Sequence, residues 1–345
     1  MDYLDICING SVTVRNAMKI IDETAKKIVF IVEKNKLFAA LTDGDIRRYL
    51  LNGGKLEDKA INAANKEPKT AFSLKQAKQL FYEGNFIAIP IVNENGSILD
   101  IYFGREKNES CKYCLNVPVV INAGGKGTRL DPYTRVLPKP LIPVGELPII
   151  EYIMREYKKF GCDDFHVIVN YKKQIMKAYF KENANHYNLS WYDEEKPLGT
   201  GGGLSLLKGK LRETFFFTNC DVLLKSNYDS ILRFHKENKN TITMVCAYKN
   251  ITIPYGVIEM GKNGVIEEMK EKPEMSFLTN TGIYLVEPEV LDDIEDDISI
   301  GFPNIVENQK QKGKNIAVYP VSETEWYDMG QLSELEKMRV RLYGE

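Results

Sequence analysis

A cluster of glycines flanked by fixed cations is the part of the sequence whose residue types are best suited to chemistry. The stretch V-P-V-V-I-N-A-G-G-K-G-T-R-L-D-P-Y-T-R-V-L-P-K-P occupies positions 117–140. It contains three glycines, Gly124, Gly125 and Gly127. Glycines allow backbone N–H groups to approach an anion in conformations that a side chain would forbid. Arg129 and Lys139 add cations, and the prolines on both sides of Lys139 stiffen its segment. The pattern indicates a phosphate-binding turn.

The spacing excludes two common glycine motifs. A Walker A loop requires G-x-x-x-x-G-K-[ST], whereas Lys126 stands between glycines and is followed by neither Ser nor Thr. The dinucleotide fingerprint G-x-G-x-x-G requires a third glycine where this chain has Leu130. The turn is therefore neither a P-loop nor a dinucleotide-binding fingerprint.

The order G-G-x-G-T-R-L followed by P-K-P resembles the signature of the sugar-phosphate nucleotidylyltransferases, which join a nucleoside triphosphate to a sugar 1-phosphate. The resemblance implies that Arg129 and Lys139 are catalytic cations. It also implies a nucleotide-binding wall made of Ala123, Gly124, Gly125, Gly127 and Thr128. The alternative is a strand and turn followed by a solvated basic loop.

A second glycine cluster, D-E-E-K-P-L-G-T-G-G-G-L, spans positions 193–204. Its two glutamates fit a solvated acidic run, but four glycines so close together need another reason. In the family that the first motif resembles, an L-G-T-x-G segment lies against the base of the nucleotide. The resemblance implies that Gly199 and Thr200 contact the nucleotide, and the alternative is a flexible loop.

Two acidic residues far apart in sequence form a candidate Mg²⁺ site. The apolar run E-T-F-F-F-T-N-C-D-V predicts a buried strand that ends at Asp221, where a carboxylate is costly unless it is paired or bound to a metal. The family resemblance implies that Asp221 and Asp328, the latter in W-Y-D-M-G-Q, hold Mg²⁺ together with substrate phosphates. Cys220 stands where the family has glycine, which is a small departure from its pattern.

Three further segments resemble the part of the family motif that binds the sugar phosphate. I-P-Y-G-V-I-E-M predicts a strand that contains Gly256, and N-T-G-I-Y-L places Asn280 at the start of another strand. Between them, E-K-P sets Glu271 beside Lys272. The resemblance implies that Glu271 and Asn280 bind sugar hydroxyls and that Lys272 neutralises the sugar phosphate. The alternative for a Glu-Lys pair is an exposed surface position.

The elements that must position these residues alternate between strands and helices. The sequence predicts strands at 117–123, 164–171 and 189–192, with helices near 148–160 and 172–182. Such alternation predicts an α/β fold with a mainly parallel, Rossmann-like sheet, helices on both faces and ligands at the carboxyl ends of the strands. We assign positions 117–345 to this domain. A last helix near 331–343 carries no assigned chemistry.

Positions 1–110 form a smaller α+β unit with an internal repeat of about sixty residues in which helix, strand, turn and strand recur. The repeat resembles a tandem pair of CBS domains, a regulatory module that binds nucleotides. Thr42 and Asp45 match the T-x-x-D that contacts ribose and phosphate in that family, and the second half lacks such a pair. The alternative is that Thr42 and Asp45 cap a helix. Positions 111–116 are predicted to be a linker.

Bulk properties narrow the class of protein. A net charge of -2 over 345 residues gives no electrostatic footprint for nucleic acid. No apolar run is long enough to span a bilayer, and the N-terminal residues lack a signal-peptide pattern, so we expect a cytoplasmic protein with no membrane partner. Cys111 and Cys114 are interpreted as linker cysteines, with zinc or redox chemistry as the alternative. Paired CBS modules favour a homodimer.

The implied reaction transfers a nucleotide to a hexose 1-phosphate. The motifs resemble mannose-1-phosphate guanylyltransferases more than thymidylyl or cytidylyl enzymes. CBS-fused members resemble the glucosamine-1-phosphate guanylyltransferases of legionaminic acid biosynthesis, so we favour GTP and glucosamine 1-phosphate. No residue can be assigned to the recognition of guanine from the sequence. A different class remains open, a non-catalytic nucleotide sensor built on the CBS pair.

Overall fold

The computed structural model describes residues 3–24, 26–34, 36–84, 86–104, 114–183, 187–330 and 334–335. The chain divides into two compact units, Met1–Asn108 and Glu109–Glu345. Residues 111–113 of the predicted linker, Cys111 among them, and nearly all of the predicted last helix lie outside the described residues. Within them, no helix combines the length and the apolar character that crossing a membrane would require.

The N-terminal unit is built from short helices and strands. After a 3-10 helix at Tyr3–Ile6, its elements are β1 Cys7–Ile8, α1 Val14–Thr24, β2 Ile28–Glu33, β3 Lys36–Thr42, α2 Asp43–Leu51, α3 Ala60–Ala63, α4 Leu74–Glu83, β4 Ile89–Val92 and β5 Ile98–Tyr102. Helix, strand and strand therefore occur twice in the same order, as α1-β2-β3 and as α4-β4-β5. In both halves the two strands pair antiparallel.

Helix α2 begins with a complete capping box. The Thr42 hydroxyl oxygen accepts the backbone N–H of Asp45 at 3.1 Å, and the Thr42 backbone N–H donates to Asp45 Oδ2 at 2.9 Å. The backbone N–H groups of Thr42 and Asp45, which would otherwise be unpaired at the start of the helix, are satisfied in this way. Thr42 and Asp45 therefore cap the helix. A further role of these two residues in nucleotide binding stays a proposal.

The C-terminal unit contains most of the chain. Its elements are β6 Val119–Asn122, β7 Pro143–Val144, β8 Leu147–Pro148, α5 Ile149–Lys158, β9 Asp164–Val169, α6 Lys173–Asn183, β10 Asn188–Asp193, β11 Phe215–Asn219, β12 Val222–Leu224, α7 Tyr228–Glu237, β13 Ile242–Thr252, β14 Val257–Met260, β15 Ile266–Lys270, β16 Glu274–Val286, α8 Glu289–Asp292, α9 Phe302–Gln311, β17 Ile316–Ser322 and β18 Trp326–Asp328. Short 3-10 helices lie between several of them.

A seven-stranded sheet in the order β10-β9-β6-β11-β16-β13-β17 organises this unit. Strands β10, β9, β6 and β11 pair in parallel, as do β13 and β17, while β16 runs antiparallel to both of its neighbours. The predicted mainly parallel α/β sheet is therefore confirmed. Apolar side chains from its two faces belong to two core clusters, with Val119 and Ile121 in one and Val120 in the other. This alternation follows from the period of two along a strand.

The helices pack through the faces that their apolar spacing predicts. In α5 the buried residues include Ile149, Ile150, Ile153, Met154 and Tyr157, which recur at intervals of three and four and so share one side of the helix. The observed bounds of α5 and α6 lie within about two residues of the predicted ones. These helices fix the strand ends that carry the polar residues of the site.

Two details of the predicted strands are wrong. Gly256 does not lie in a strand but directly precedes β14. Asn280 does not begin a strand, because β16 already starts at Glu274. Strand β16 pairs with β13 along its whole length, and the sequence motif falls where the register between β13 and β16 shifts at Val245 and Cys246. A bulge at that point interrupts the pairing and mimics the start of a new strand.

The histidines of the described residues contact neighbouring polar side chains. His166 contacts the side chains of Tyr192 and Asp164, and His235 contacts those of Thr243 and Glu287. Cys114 is an exposed free thiol. Within the described residues, no group of three or more His, Cys, Asp or Glu side chains is arranged to hold a metal ion.

Candidate active site

A cleft of about 350 Å³ lies at the carboxyl ends of β6 and β11. It is lined by Asn122, Gly124, Gly125, Gly127, Thr128, Arg129, Leu130, Lys139, Glu194, Pro197, Gly199, Thr200, Asn219, Cys220, Asp221 and Gly330. Both glycine clusters, both predicted catalytic cations and one predicted metal ligand therefore meet in a single cleft. Ala123 directly precedes the first glycine loop and is buried. In an open parallel sheet this is the expected place for a ligand.

The first glycine loop packs against the stem of Lys139. Gly127 has a φ of +67°, and a Cβ at this position would lie 2.9 Å from both Lys139 Cβ and Thr134 Cγ2. The Thr134 hydroxyl also donates to the Gly127 carbonyl oxygen at 3.1 Å. Apart from its own chain neighbours, no atom of the described residues lies within 4 Å of the place a Gly125 Cβ would take, so the loop backbone there is open to a ligand.

Lys139 forms an ion pair with Asp221 inside the cleft. Both side chains are only 12% exposed, so the pair is shielded from most of the solvent. Asp221 follows β11 after a turn at Cys220, while Lys139 begins a 3-10 helix between two prolines. The stiff proline-flanked segment thus delivers a cation to the acid at the end of the central strand.

Asp328 lies beside Asp221, although 107 positions separate them in the sequence. Strand β12 pairs with β18 so that Val222 stands opposite Asp328, and the Met329 N–H donates to the Asp221 carbonyl oxygen at 2.9 Å. Burial, and then the negative charge of Asp221, raises the pKa of Asp328, while Lys139 and Arg129 act in the opposite direction. The structure therefore brings Asp221 and Asp328 together, as the sequence predicted.

This pair of acids suits a hard divalent cation. Two carboxylates at close range repel each other, and a Mg²⁺ ion takes one or two carboxylates and completes its shell with phosphate oxygens and water. The donor set of Asp221 and Asp328 fits that pattern, since it offers two carboxylates and, within the part of the chain that the structure describes, no third acidic, His or Cys ligand joins them.

The second glycine loop is fixed by the segment before α9. The Gly201 and Gly202 N–H groups donate to the Ile300 carbonyl oxygen at 2.9 and 3.2 Å. Gly199 has a φ of +78°, and a Cβ there would lie 2.7 Å from the same oxygen. Thr200 lines the cleft, but its hydroxyl oxygen accepts the Phe302 N–H at 3.0 Å. The loop is therefore held rather than flexible.

Glu194 is a buried acid of the cleft that sequence reasoning missed. Expected in a solvated run, it is 3% exposed, while the neighbouring Glu195 is exposed as predicted. Burial raises the pKa of Glu194 to about 7, opposed by a hydrogen bond from the Leu198 backbone. Its Oε1 atom has no hydrogen-bond partner among the described residues. The available signal was its position directly after β10, at the same sheet edge as the phosphate loop.

Of the four residues predicted to bind sugar phosphate, none lines this cleft. A Cβ at Gly256 would lie 3.1 Å from Glu271 Oε2, so these two residues adjoin at the base of the exposed hairpin. Lys272 is also exposed. Asn280 lies nearer, because its Oδ1 accepts the Gly282 N–H at 3.0 Å and Gly282 packs against Asn219, a cleft residue.

Comparison with known proteins identifies relatives of the C-terminal unit. The sequence model of the family described as nucleotidyl transferase matches residues 118–343. A mannose-1-phosphate guanyltransferase of Pichia angusta is 34% identical over 226 residues, which cover 61% of this chain and 60% of that protein. The bifunctional protein GlmU of Methanococcus maripaludis is 30% identical over 224 residues, covering 61% of this chain and 51% of that protein. The chain thus spans about half to three-fifths of the length of these relatives.

A solved structure shares the fold. The crystal structure of HddC from Yersinia pseudotuberculosis complexed with GMP-PN superposes with a TM-score of 0.51 at 19% identity, over 66% of this chain and 99% of that one. The likeness supports the assignment of the sheet architecture.

Proposed function

Because the chain belongs to the nucleotidyl transferase family, we propose that it is a sugar-1-phosphate nucleotidylyltransferase that forms a nucleoside diphosphate sugar and pyrophosphate. The observation that carries the proposal is the meeting of the first glycine loop, Lys139, Asp221 and Asp328 at one sheet edge. A loop of open backbone N–H groups suits phosphates, and the acid pair suits the cation that accompanies them.

In this reaction an oxygen of the sugar 1-phosphate attacks the α-phosphorus of the triphosphate, in line with the departing pyrophosphate. No protein nucleophile is required, because the attacking phosphate is already an anion. The enzyme must hold two anions together and stabilise the additional charge of the transition state. Lys139 and Arg129 both line the cleft, where Lys139 would bind the α-phosphate and Arg129 the leaving phosphates.

Asp221 and Asp328 would hold Mg²⁺ when the substrates bind. The bound ion would supply charge neutralisation at the phosphate oxygens. The chain itself provides the Lys139 cation beside these acids, since the ion pair with Asp221 holds its ammonium group there. The Lys139 ammonium group would need no large movement to contact a phosphate bound between Lys139 and Asp221.

We favour GTP as the triphosphate and glucosamine 1-phosphate as the sugar substrate, for a bacterial GDP-sugar route such as legionaminic acid biosynthesis. The choice of guanine has support from the name of the Pichia relative, a mannose-1-phosphate guanyltransferase. That name also supports mannose 1-phosphate as the alternative sugar. Glu271, Lys272, Asn280 and Gly256 are proposed to bind the sugar phosphate, which requires the exposed hairpin to come close to the cleft.

The N-terminal unit is proposed to be a CBS pair with a regulatory nucleotide site at Thr42 and Asp45. The twofold helix-strand-strand order supports the assignment. The capping box shows that these two side chains already have a structural role in the start of α2.

Pyrophosphate release tests the proposal directly. The full-length protein with Mg²⁺ is assayed with GTP, ATP, UTP, CTP and dTTP against glucosamine 1-phosphate, mannose 1-phosphate and glucose 1-phosphate. We expect turnover that needs both substrates and is greatest with GTP. Preparations of Lys139→Ala made in parallel control for contaminating enzymes. Absence of turnover with every pair would favour a nucleotide-sensing protein over a transferase.

A further inference from the structure

The turn after β9 places two side chains on the segment that follows the first glycine loop. The Tyr171 hydroxyl donates to the Thr134 carbonyl oxygen at 3.1 Å. The Lys172 ammonium group donates to the Val136 carbonyl oxygen at 2.9 Å and also to that of Arg135. Three consecutive carbonyl groups of this segment are therefore held by two neighbouring side chains.

Lys172 satisfies the carbonyl end of a short 3-10 helix, Tyr133–Arg135. The last carbonyl groups of a helix have no partner within the helix, and a lysine near that end can bond them. The backbone of Lys172 has a φ of +52°, in the left-handed region that a residue with a side chain adopts only at a cost. Such backbone conformations are concentrated at functional sites, which indicates that the direction of this side chain matters.

The segment that these side chains hold is packed against the first glycine loop. The Thr134 hydroxyl donates to the Gly127 carbonyl oxygen at 3.1 Å, and a Cβ at Gly127 would lie 2.9 Å from both Thr134 Cγ2 and Lys139 Cβ. At the start of the loop, the Tyr171 backbone N–H donates to the Gly124 carbonyl oxygen at 3.4 Å. The turn after β9 therefore contacts the glycine loop at its start and the segment just beyond its end.

We propose that Tyr171 and Lys172 are positioning residues for the triphosphate, which hold the first glycine loop and Lys139 in their binding geometry before the triphosphate binds. This inference rests on the proposed nucleotidyl transfer. Neither residue is among those that line the cleft, so both act through the backbone that they hold. A loop that is ordered in advance lowers the entropic cost of binding.

The kinetic effect of this role is confined to the triphosphate. Lys172→Met keeps the length of the side chain but removes its donors. With the triphosphate and sugar 1-phosphate that give the highest turnover, KM for the triphosphate should rise about tenfold, near the lower end of the range for a hydrogen bond to a charged group. Both kcat and KM for the sugar 1-phosphate should change by no more than about twofold, because the bound triphosphate orders the loop again.

Two further variants test the contacts one at a time. Lys172→Arg should restore most of the affinity for the triphosphate, since a guanidinium group also donates to carbonyl oxygens. Tyr171→Phe removes one neutral hydrogen bond and keeps the ring, so KM for the triphosphate should rise by only about two- to fourfold. If Lys172→Met does not fold, as melting curves would show, Tyr171→Phe carries the same test.

Lys173→Met is the matched control. Lys173 is the next residue, and its ammonium group lies 3.3 Å from Asp193, which keeps Lys177 as a second partner at 2.6 Å. This variant loses the same charge and should retain the wild-type KM for the triphosphate. A wild-type KM in Lys172→Met, an equal rise in Lys173→Met, or a loss confined to kcat would overturn the proposal.

Hydrogen exchange of the unliganded full-length protein tests the positioning without any reaction. Peptides that cover 124–137 should exchange about tenfold faster in Lys172→Met and at the wild-type rate in Lys173→Met. If no triphosphate is turned over, calorimetry with the same five triphosphates measures binding alone. Binding that is about tenfold weaker in Lys172→Met than in the wild type would support the positioning role without transfer. Unchanged exchange, or no binding of any triphosphate by the wild type, would overturn it.

Discussion

The Lys139 ammonium group donates to the Asp221 carboxylate, so the proline-flanked segment and the end of the central strand are joined at the site of the proposed reaction. Both side chains are only 12% exposed, so the ion pair lies in a place that solvent hardly reaches. A phosphate that binds there meets a cation already in position, which avoids the entropy of ordering a long side chain during the reaction.

Replacement of Lys139 by alanine should lower kcat by about 10²- to 10³-fold, the range for loss of one donor to a developing charge. Lys139→Arg should recover only part of the loss, since a planar guanidinium cannot replace a compact ammonium group in a closely packed site. Lys126→Ala, in the same loop but exposed and outside the cleft lining, should change kcat by no more than a few fold. Steady-state pyrophosphate release measures all three. A Lys139→Ala enzyme with near wild-type kcat would contradict the assigned role.

Replacement of Asp328 by asparagine should abolish most activity and raise the melting temperature. The folded pKa of Asp328 is raised above its unfolded value, so its charge costs stability above that pKa and the cost disappears at low pH. Asparagine removes the repulsion with Asp221 but is a poorer Mg²⁺ ligand. Asp131→Asn is the control, because this acid pairs with Arg135 at the surface at 2.9 Å. Calorimetry at pH 7.5 and activity against Mg²⁺ concentration provide the measurements. A lower melting temperature for Asp328→Asn would contradict the burial argument.

The parts of the site that the sequence predicted depend on local patterns. The glycines at 124, 125 and 127 and the apolar run before them determine a strand and an open turn without help from the rest of the chain. The convergence of Asp221 and Asp328 was predicted from a motif resemblance, but the antiparallel β12-β18 pair that produces it is non-local.

Glu194 could not be assigned from its neighbours in sequence. D-E-E-K is the composition of a solvated segment, and burial of one acid among the four depends on how the two glycine loops pack around it. The hairpin at 257–270 was also hard to foresee, because its exposed apolar residues, such as Met260 and Met269, have the alternation of a strand that is buried on one face. Tertiary packing decided both cases.

Replacement of Thr42 by alanine should loosen the start of α2 in the N-terminal unit. Loss of an N-cap costs about 1 kcal/mol, which corresponds to roughly a fivefold faster amide exchange if the helix opens locally. Hydrogen exchange of the full-length protein, followed by mass spectrometry over 43–51, measures the effect. Ser73→Ala, which removes the simpler cap of α4, should affect that helix alone. Added ATP or GTP should protect α2 in the wild type and not in Thr42→Ala if the site also binds a nucleotide, and equal protection in both would contradict that role.

Replacement of Gly199 by alanine should impair triphosphate binding more than it impairs folding. Alanine at a φ of +78° is strained, and its Cβ would lie 2.7 Å from the Ile300 carbonyl oxygen, so the loop must move and weaken the hydrogen bonds of Gly201 and Gly202 to that oxygen. Gly209→Ala separates the two effects, because Gly209 has a φ of +71° and, its chain neighbours aside, no atom of the described residues lies within 4 Å of the added Cβ. Both variants should lose about 1 kcal/mol from backbone strain. Only Gly199→Ala should lower kcat/KM for the triphosphate by about 10-fold or more, since the second glycine loop forms a wall of the cleft. Equal kinetic losses in the two variants would show that this loop does not contact the nucleotide.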